Sequence, residues 1–329
     1  MNEREAKALV SDAGRMLLNE GLVARTWGNV SCRTGNNSFV ITPSGLGYEG
    51  MTADDIVSYS MADGTYVGTR KPSSEKGVHA AAYASFADAN FVIHTHQTYA
   101  SALGVAGFER LALSADEETA LGGVALAFYG LPGTKRLTKN VEKALASGAH
   151  CILMAHHGAL IAGRDRAEAF ERAKLLESVC QRATLGQPAE TTADGAALEA
   201  LAAAVKSDFP FIGTTNDAAV CAASKYAPLH AELDDMAQMI GPKLAAVGNS
   251  AEAVREALIK HDAVFVENLG AIVRAKTLGD AEALKTLVEK ASIVALHARA
   301  SGKSARLSAV DANLMRFIYL KKYAKKIGR

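Results

Sequence analysis

The chain has 329 residues, 49% hydrophobic and 22% charged, with a formal net charge of +1 at pH 7. That length suits two domains of ordinary size, and so balanced a charge argues against a polyanion partner. The one basic run, KKYAKKIGR (321–329), reads as a solvated terminus.

The charged N-terminus MNEREAKALV lacks the apolar core of a signal peptide, and no segment approaches ~18 uninterrupted apolar residues. A cytoplasmic protein with no membrane or nucleic-acid partner is expected. The cysteines, Cys32, Cys151, Cys180 and Cys221, form no CxxC pair, so neither a disulfide framework nor a cysteine zinc site is expected.

In chain order, residues 2–20 carry helical periodicity, with Ala6, Leu9, Val10, Ala13, Met16 and Leu17 on one face, and Gly21 stops the helix. NVSCR, SFVIT and DIVSYS then read as strands between turns. Residues 74–87 return to a helical pattern, with His79, Ala82 and Tyr83 near one face. NFVIH (90–94) and VALAFYG (124–130) read as strands, and 134–145 as a helix. HCILMAHHGALIAG (150–163) reads as strand, turn and strand, and 166–183 as a long amphipathic helix. This alternation predicts a layered α/β domain.

The polar stretch GQPAETTADG (186–195) is read as a linker, dividing the chain into domains 1–187 and 188–329. Residues 261–291 then repeat the pattern of 150–180: strand, Gly turn, strand, and a helix rich in Ala, Leu and Glu. The repeat has Asn268-Leu269-Gly270 where the first copy has His156-His157-Gly158, and it has no HxH. The second half is therefore expected to be a degenerate copy without metal ligands.

Two constellations carry chemistry. His94 and His96 in FVIHTHQ lie two apart on an extended segment, so their imidazoles share one face and Thr95 faces the other way. The spacing suits two ligands of one zinc ion, or equally a pair of polar residues ending a buried strand. A third ligand is available from His156 or His157, which precede Gly158. Adjacent strand residues face opposite ways, so only one of them can join. A His₃ set with open positions is a Lewis-acid site, not a closed structural one. Upstream, Ser73 and Ser74 precede Glu75 at a helix start, an arrangement that serves as an anion site or simply as a cap. With TPSG (42–45) and GNVS (28–31) it makes three donor-rich turns able to hold a phosphate.

The order W-GNVS (27–31), ITPSGLGYEGM (41–51), KPSSE (71–75), VIHTH (92–96) and HHG (156–158), followed by a long helix, resembles the class II aldolase/adducin family. The resemblance spans residues 1–185 and is to the L-fuculose-phosphate aldolase and L-ribulose-5-phosphate 4-epimerase type. It implies a central, mostly antiparallel β-sheet flanked by helices in three layers, here followed by a second, smaller α/β domain. It assigns Zn²⁺ to His94, His96 and His157, with Mn²⁺ or Co²⁺ as possible replacements because His₃ sites accept several metals. It assigns substrate phosphate to Thr26, Asn29, Ser44, Gly45, Ser73 and Ser74, the acid/base position to Glu75, and a structural role to His156. The implied reaction is cleavage of a ketose phosphate to dihydroxyacetone phosphate and an aldehyde, by enediolate stabilisation, in a homo-oligomer (tetramer or dimer) with active sites at subunit contacts.

The sequence departs from that pattern in one place. Fuculose-phosphate aldolases donate a tyrosine across a subunit boundary, and residues 101–128 contain none. LALSADEETALGG (111–123) offers acids instead. The epimerases use an aspartate in this region, so Asp116 and Glu118 become candidates for a second acid/base, beside the reading of a solvated acidic loop. Glu75 stands where epimerases have Asp and favours a lyase. A 4-epimerase, a zinc dehydratase or a decarboxylase on the same scaffold are the alternatives. Adducins have lost the three histidines.

Overall fold

The computed structural model describes residues 2–108, 111–190, 193–303 and 306–322. The chain divides into two compact units, Met1–Ala183 and Thr184–Arg329, so the boundary falls at the end of the long helix, a few residues before the polar stretch expected to separate them.

The first unit runs α1 (Glu3–Asn19), β1 (Asn29–Gly35), β2 (Ser38–Ile41), β3 (Val57–Ser60), β4 (Tyr66–Val67), α2 (Lys76–Ser85), β5 (Phe91–Thr95), α3 (Thr98–Ala106), α4 (Ala115–Leu121), β6 (Val124–Ala127), α5 (Lys135–Leu145), β7 (Cys151–Met154), β8 (Gly158–Gly163) and α6 (Arg166–Ala183). Eight strands form one sheet in the order β4-β3-β2-β1-β5-β8-β7-β6. Every pairing is antiparallel except β6 with β7.

Period-two alternation sorts the side chains onto the two faces. Val30, Cys32, Phe91, Ile93, Leu153 and Ile161 pack with α1, α3 and α6. Phe39, Ile41, Val92, Ile152, Leu160 and Ala162 pack with α2 and α5. Helices therefore cover both faces, giving three layers. The same parity puts Asn29, Ser31 and His94 on the α2/α5 side, and Thr95 on the opposite side. There Thr95 Oγ1 donates to Gln97 Oε1 (2.7 Å), and Gln97 is anchored to the Ala173 carbonyl of α6.

The second unit contains α7 (Gly195–Val205), β9 (Phe211–Thr215), α8 (Ala218–Ser224), β10 (Leu229–His230), α9 (Asp234–Met239), β11 (Lys243–Leu244), β12 (Ala246–Val247), α10 (Ala251–Lys260), β13 (Ala263–Val266), β14 (Gly270–Ala275), α11 (Leu278–Ala300) and α12 (Ala309–Lys322). Its main sheet has the order β12-β13-β14-β9. The pairings are parallel, antiparallel and antiparallel, as in β6-β7-β8-β5.

The correspondence extends to the turns. His156 and Asn268 are both left-handed, at φ 63° and 62°. Two residues further on in each unit comes a glycine-led strand, in register with a threonine: Ala159 opposite Thr95, Ala271 opposite Thr215. A Cβ on Gly158 would lie 2.1 Å from the Thr95 carbonyl oxygen, and one on Gly270 2.3 Å from that of Thr215. Only glycine lets the strands approach so closely at both turns.

Candidate metal centre

The end of β5 and the start of β8 form the site. Gly158 lets β8 close on β5, and Gly28, at φ 71°, lets β1 do so from the other side, since a Cβ there would meet the His94 carbonyl oxygen at 2.5 Å. His94, pinched between the two, is fully buried.

The structure brings His94, His96 and His157 together, with their candidate ligand nitrogens all within 4.8 Å of one another. His94 Nε2 and His96 Nε2 are 3.1 Å apart. Two ligands of one tetrahedral zinc with Zn–N of about 2.0–2.1 Å would stand about 3.3 Å apart. His94 Nδ1 donates to the Ala159 carbonyl (2.9 Å), which leaves Nε2 as the bare nitrogen facing the cluster. Burial, with like-charge repulsion from His96 and His157, drives His94 well below the ordinary imidazole range against the pull of Glu75. A neutral imidazole is the form that binds a metal. The donor set therefore fits a divalent cation.

His156 does not join. The left-handed turn swings its ring away, edge-on to Tyr129 with ring centroids 5.3 Å apart.

Glu75 lies against this group. Its Oε1 is 2.9 Å from His157 Nε2, and its Oε2 is 3.3 Å from His94 Nε2. Burial alone would push its carboxyl up. The imidazoles of His94, His157 and His96 outweigh burial and hold it well below the usual carboxylate range, so it stays ionised. Glu75 is the N-cap of α2, but its side chain does not cap the helix. Its own N–H instead donates to Ser73 Oγ (3.2 Å).

The turns proposed for phosphate meet beside it. Pro43 and Pro72 form an isolated bridge, flanked by Ser44 N–H to Lys71 O and Ser73 N–H to Thr42 O, each 3.0 Å. This sets Ser44 and Gly45 (φ 72°) alongside Ser73 and Ser74, with both Ser44 and Ser74 exposed. Thr42 Oγ1 accepts from the Val30 N–H, which ties the GNVS turn to the same place. Thr26 is half-buried in that turn. The Asn29 carboxamide is buried and donates from Nδ2 to Glu75 Oε2 (2.9 Å).

Asp116 and Glu118 lie exposed in the first turn of α4, where acidic side chains favour the helix N-terminus. Ser114 caps that helix and Glu117 completes the capping box, so a helix stands where a loop was one of the readings.

Three further residues belong to the site. The Trp27 ring stacks on His96 at 6.0 Å between centroids. Tyr48 holds that turn through the carbonyls of Trp27 (3.0 Å) and Gly28 (2.8 Å). His79 sits behind Asn29. Trp27 and His79 were visible by position, the first inside the motif and the second one helical turn after Glu75. Tyr48 stands inside ITPSGLGYEGM, but its contact with the GNVS turn some twenty residues earlier is beyond local patterning.

The family model described as Class II Aldolase and Adducin N-terminal domain matches residues 8–184. The chain belongs to the class II aldolase and adducin family. It is 33% identical over 181 residues to a 5-deoxy-D-ribulose 1-phosphate aldolase of Bacillus thuringiensis, covering 54% of this chain and 84% of that relative. It is 31% identical over 203 residues to an L-ribulose-5-phosphate 4-epimerase of Salmonella paratyphi B, covering 56% and 86%. Among solved structures, an L-fuculose 1-phosphate aldolase is 31% identical with a TM-score of 0.51, covering 54% of this chain and 84% of that one. Class II aldolases of this kind are enzymes, and the three-histidine cluster of this member stands among its strand ends. Among the described residues no helix is long and apolar enough to cross a membrane.

At the positions matching His94, His96 and His157, the second unit has Thr214, Asn216 and Leu269. Leu269 packs with Leu198 in an apolar cluster, and Thr214 Oγ1 donates to Glu199. Helix α7 thus contributes packing at the place where a metal would need imidazoles.

Proposed function

We propose that the first unit is a zinc-dependent carbon–carbon lyase that cleaves a ketose phosphate, fuculose-phosphate-like, to dihydroxyacetone phosphate and an aldehyde. The observation that carries this reading is Glu75: a buried carboxylate within 3.3 Å of two of the three imidazoles. His94, His96 and His157 would hold a divalent cation, which would supply Lewis acidity to the reacting end of the substrate. Glu75 takes or returns the proton on the three-carbon fragment. Donors at Thr26, Ser44, Gly45, Ser73 and Ser74 hold the phosphate, so that remote binding energy aligns the bond to be broken. The buried floor of β5 and β8 excludes water from the base.

Exposed on α4, Asp116 and Glu118 are available to the site of a second copy, and in that form we retain one of them as the second acid/base of a homo-oligomer. The second unit is read as a degenerate copy of the β5–α6 half of the first, supported by the matching sheet order, turn geometry and glycine contacts. It takes no part in the chemistry.

The test is a panel of ketose phosphates assayed with and without chelator, with released triose phosphate measured. Glu75→Gln is expected to lower kcat by about 10²–10⁴, with metal content unchanged. Full cleavage by Glu75→Gln would overturn the assignment, and inverted sugar without released triose phosphate would favour the epimerase.

A further inference from the structure

Behind Glu75 runs a buried polar chain that no phosphate or metal role explains. Asn29 Nδ2 meets Glu75 Oε2 at 2.9 Å, and Asn29 Oδ1 meets His79 Nε2. His79 Nδ1 lies 2.7 Å from Ser31 Oγ, and Ser31 Oγ lies 2.8 Å from the Tyr83 hydroxyl. Asn29, Ser31, His79 and Tyr83 are each at most 3% exposed. Asn29 and Ser31 share one face of β1, and His79 and Tyr83 are one turn apart on α2, so the chain is set by strand parity and helical spacing.

The chemistry of the groups fixes the order of protons from one end. Asn29 sets its Nδ2 against Glu75 Oε2 and its Oδ1 against His79 Nε2, and an amide oxygen only accepts. His79 must then carry its proton on Nε2. Its bare Nδ1 accepts from Ser31, whose oxygen accepts from Tyr83. The opposite tautomer, with hydrogen on Nδ1, would let Asn29 flip and set its carbonyl oxygen against the Glu75 carboxylate. Burial keeps His79 neutral, pushed down to about 3, so no second proton joins the ring across ordinary pH.

We propose that His79 is a positioning residue: through the Asn29 carboxamide it holds Glu75 Oε2 and thereby keeps Oε1 directed to the imidazole cluster. The proposal rests on the reading of Glu75 as the acid/base. It assigns Asn29 to the base, where the family resemblance assigns it to phosphate.

The full-length chain labelled with [¹⁵N]histidine provides a test that does not depend on activity. Two-bond ¹H–¹⁵N correlation should show His79 as the Nε2–H tautomer, with or without added Zn²⁺. An Nδ1–H tautomer overturns the proposal even if the chain proves to be an aldolase. The expected result stands even if no ketose phosphate is cleaved, so failure of the two readings is distinguishable. In the second arm, His79→Phe is expected to lower kcat about 10–100-fold, as loss of such supporting partners does, with KM and bound zinc unchanged. Wild-type kcat overturns the proposal, and so does a rise in KM alone, which would return Asn29 to the phosphate. Should His79→Phe fail to fold, Ser31→Ala removes only the hydroxyl that holds Nδ1. It should lower the Nε2–H population and kcat together, and an unchanged tautomer with unchanged kcat overturns the proposal.

Discussion

Gly158→Ala tests whether the close approach of β5 and β8 builds the site. The added Cβ would stand 2.1 Å from the Thr95 carbonyl oxygen and 3.2 Å from His94 Cε1. The first is a backbone atom in a paired strand and cannot swing aside, so the strand ends must part between His94 and His157. Such overpacking costs about 1–3 kcal/mol. The His94 Nδ1 bond to Ala159, at 2.9 Å, lies on the moving segment and adds about 1 kcal/mol if lost. The sum, about 2–4 kcal/mol, corresponds to a fall in Tm of roughly 5–15 °C for a domain of this size. The assay is thermal melting of the metal-free protein, followed by zinc titration. Gly47→Ala, where a Cβ meets nothing within 4 Å, is the control and should stay within about 0.5 kcal/mol. A Gly158→Ala protein that melts within a degree of wild type and binds zinc equally well would refute the reasoning.

Two predictions concern pH. His79 is pushed from 6.5 to about 3 by burial, so the unfolded chain binds more protons than the native one between those values, and stability falls as pH drops through that window. From pH 6.5 to 5 the loss is about 2 kcal/mol, and urea unfolding of His79→Phe should lack that part of the slope. In the second unit, burial raises Glu232 from 4.5 to about 7 despite Arg306, so its contribution is present below 4.5 and is lost as pH rises through 7. Glu232→Gln should therefore stabilise the chain by about 1–3 kcal/mol at pH 8 and much less at pH 5, read by urea unfolding at both values. Breaking the buried Lys290–Asp235 pair (2.8 Å) with Lys290→Met leaves a carboxylate without that cation and should cost about 3–5 kcal/mol, read in the same assay.

Much of the site was legible because short-range periodicity carries it. The i, i+2 spacing of His94 and His96 fixes one strand face, and the Thr95 side chain goes the other way for the same reason. The HHG turn left the choice between His156 and His157 open, because parity selects one residue without saying which. The left-handed backbone at His156 settles it. The helix faces of residues 74–87 put His79 and Tyr83 together, but their partners Asn29 and Ser31 lie about fifty residues earlier, and no local pattern joins them. The resemblance assigns Asn29 to phosphate, and the inward turn of its carboxamide, set by the face of β1 that looks toward α2, was not legible from the motif. The acids of 116–118 were open to two readings, a second acid/base or a solvated loop, because composition shows neither backbone nor partner. The Ser114 cap makes the segment a helix start.

The most direct measurement is the metal content of the purified chain, set beside ketose-phosphate cleavage. One zinc-type divalent cation per chain is expected, lost together with cleavage in His157→Ala, while the fold persists by circular dichroism. A metal-free chain that cleaves the sugar phosphate at full rate, or a His157→Ala protein that keeps both its cation and its activity, would contradict the assignment of the three histidines.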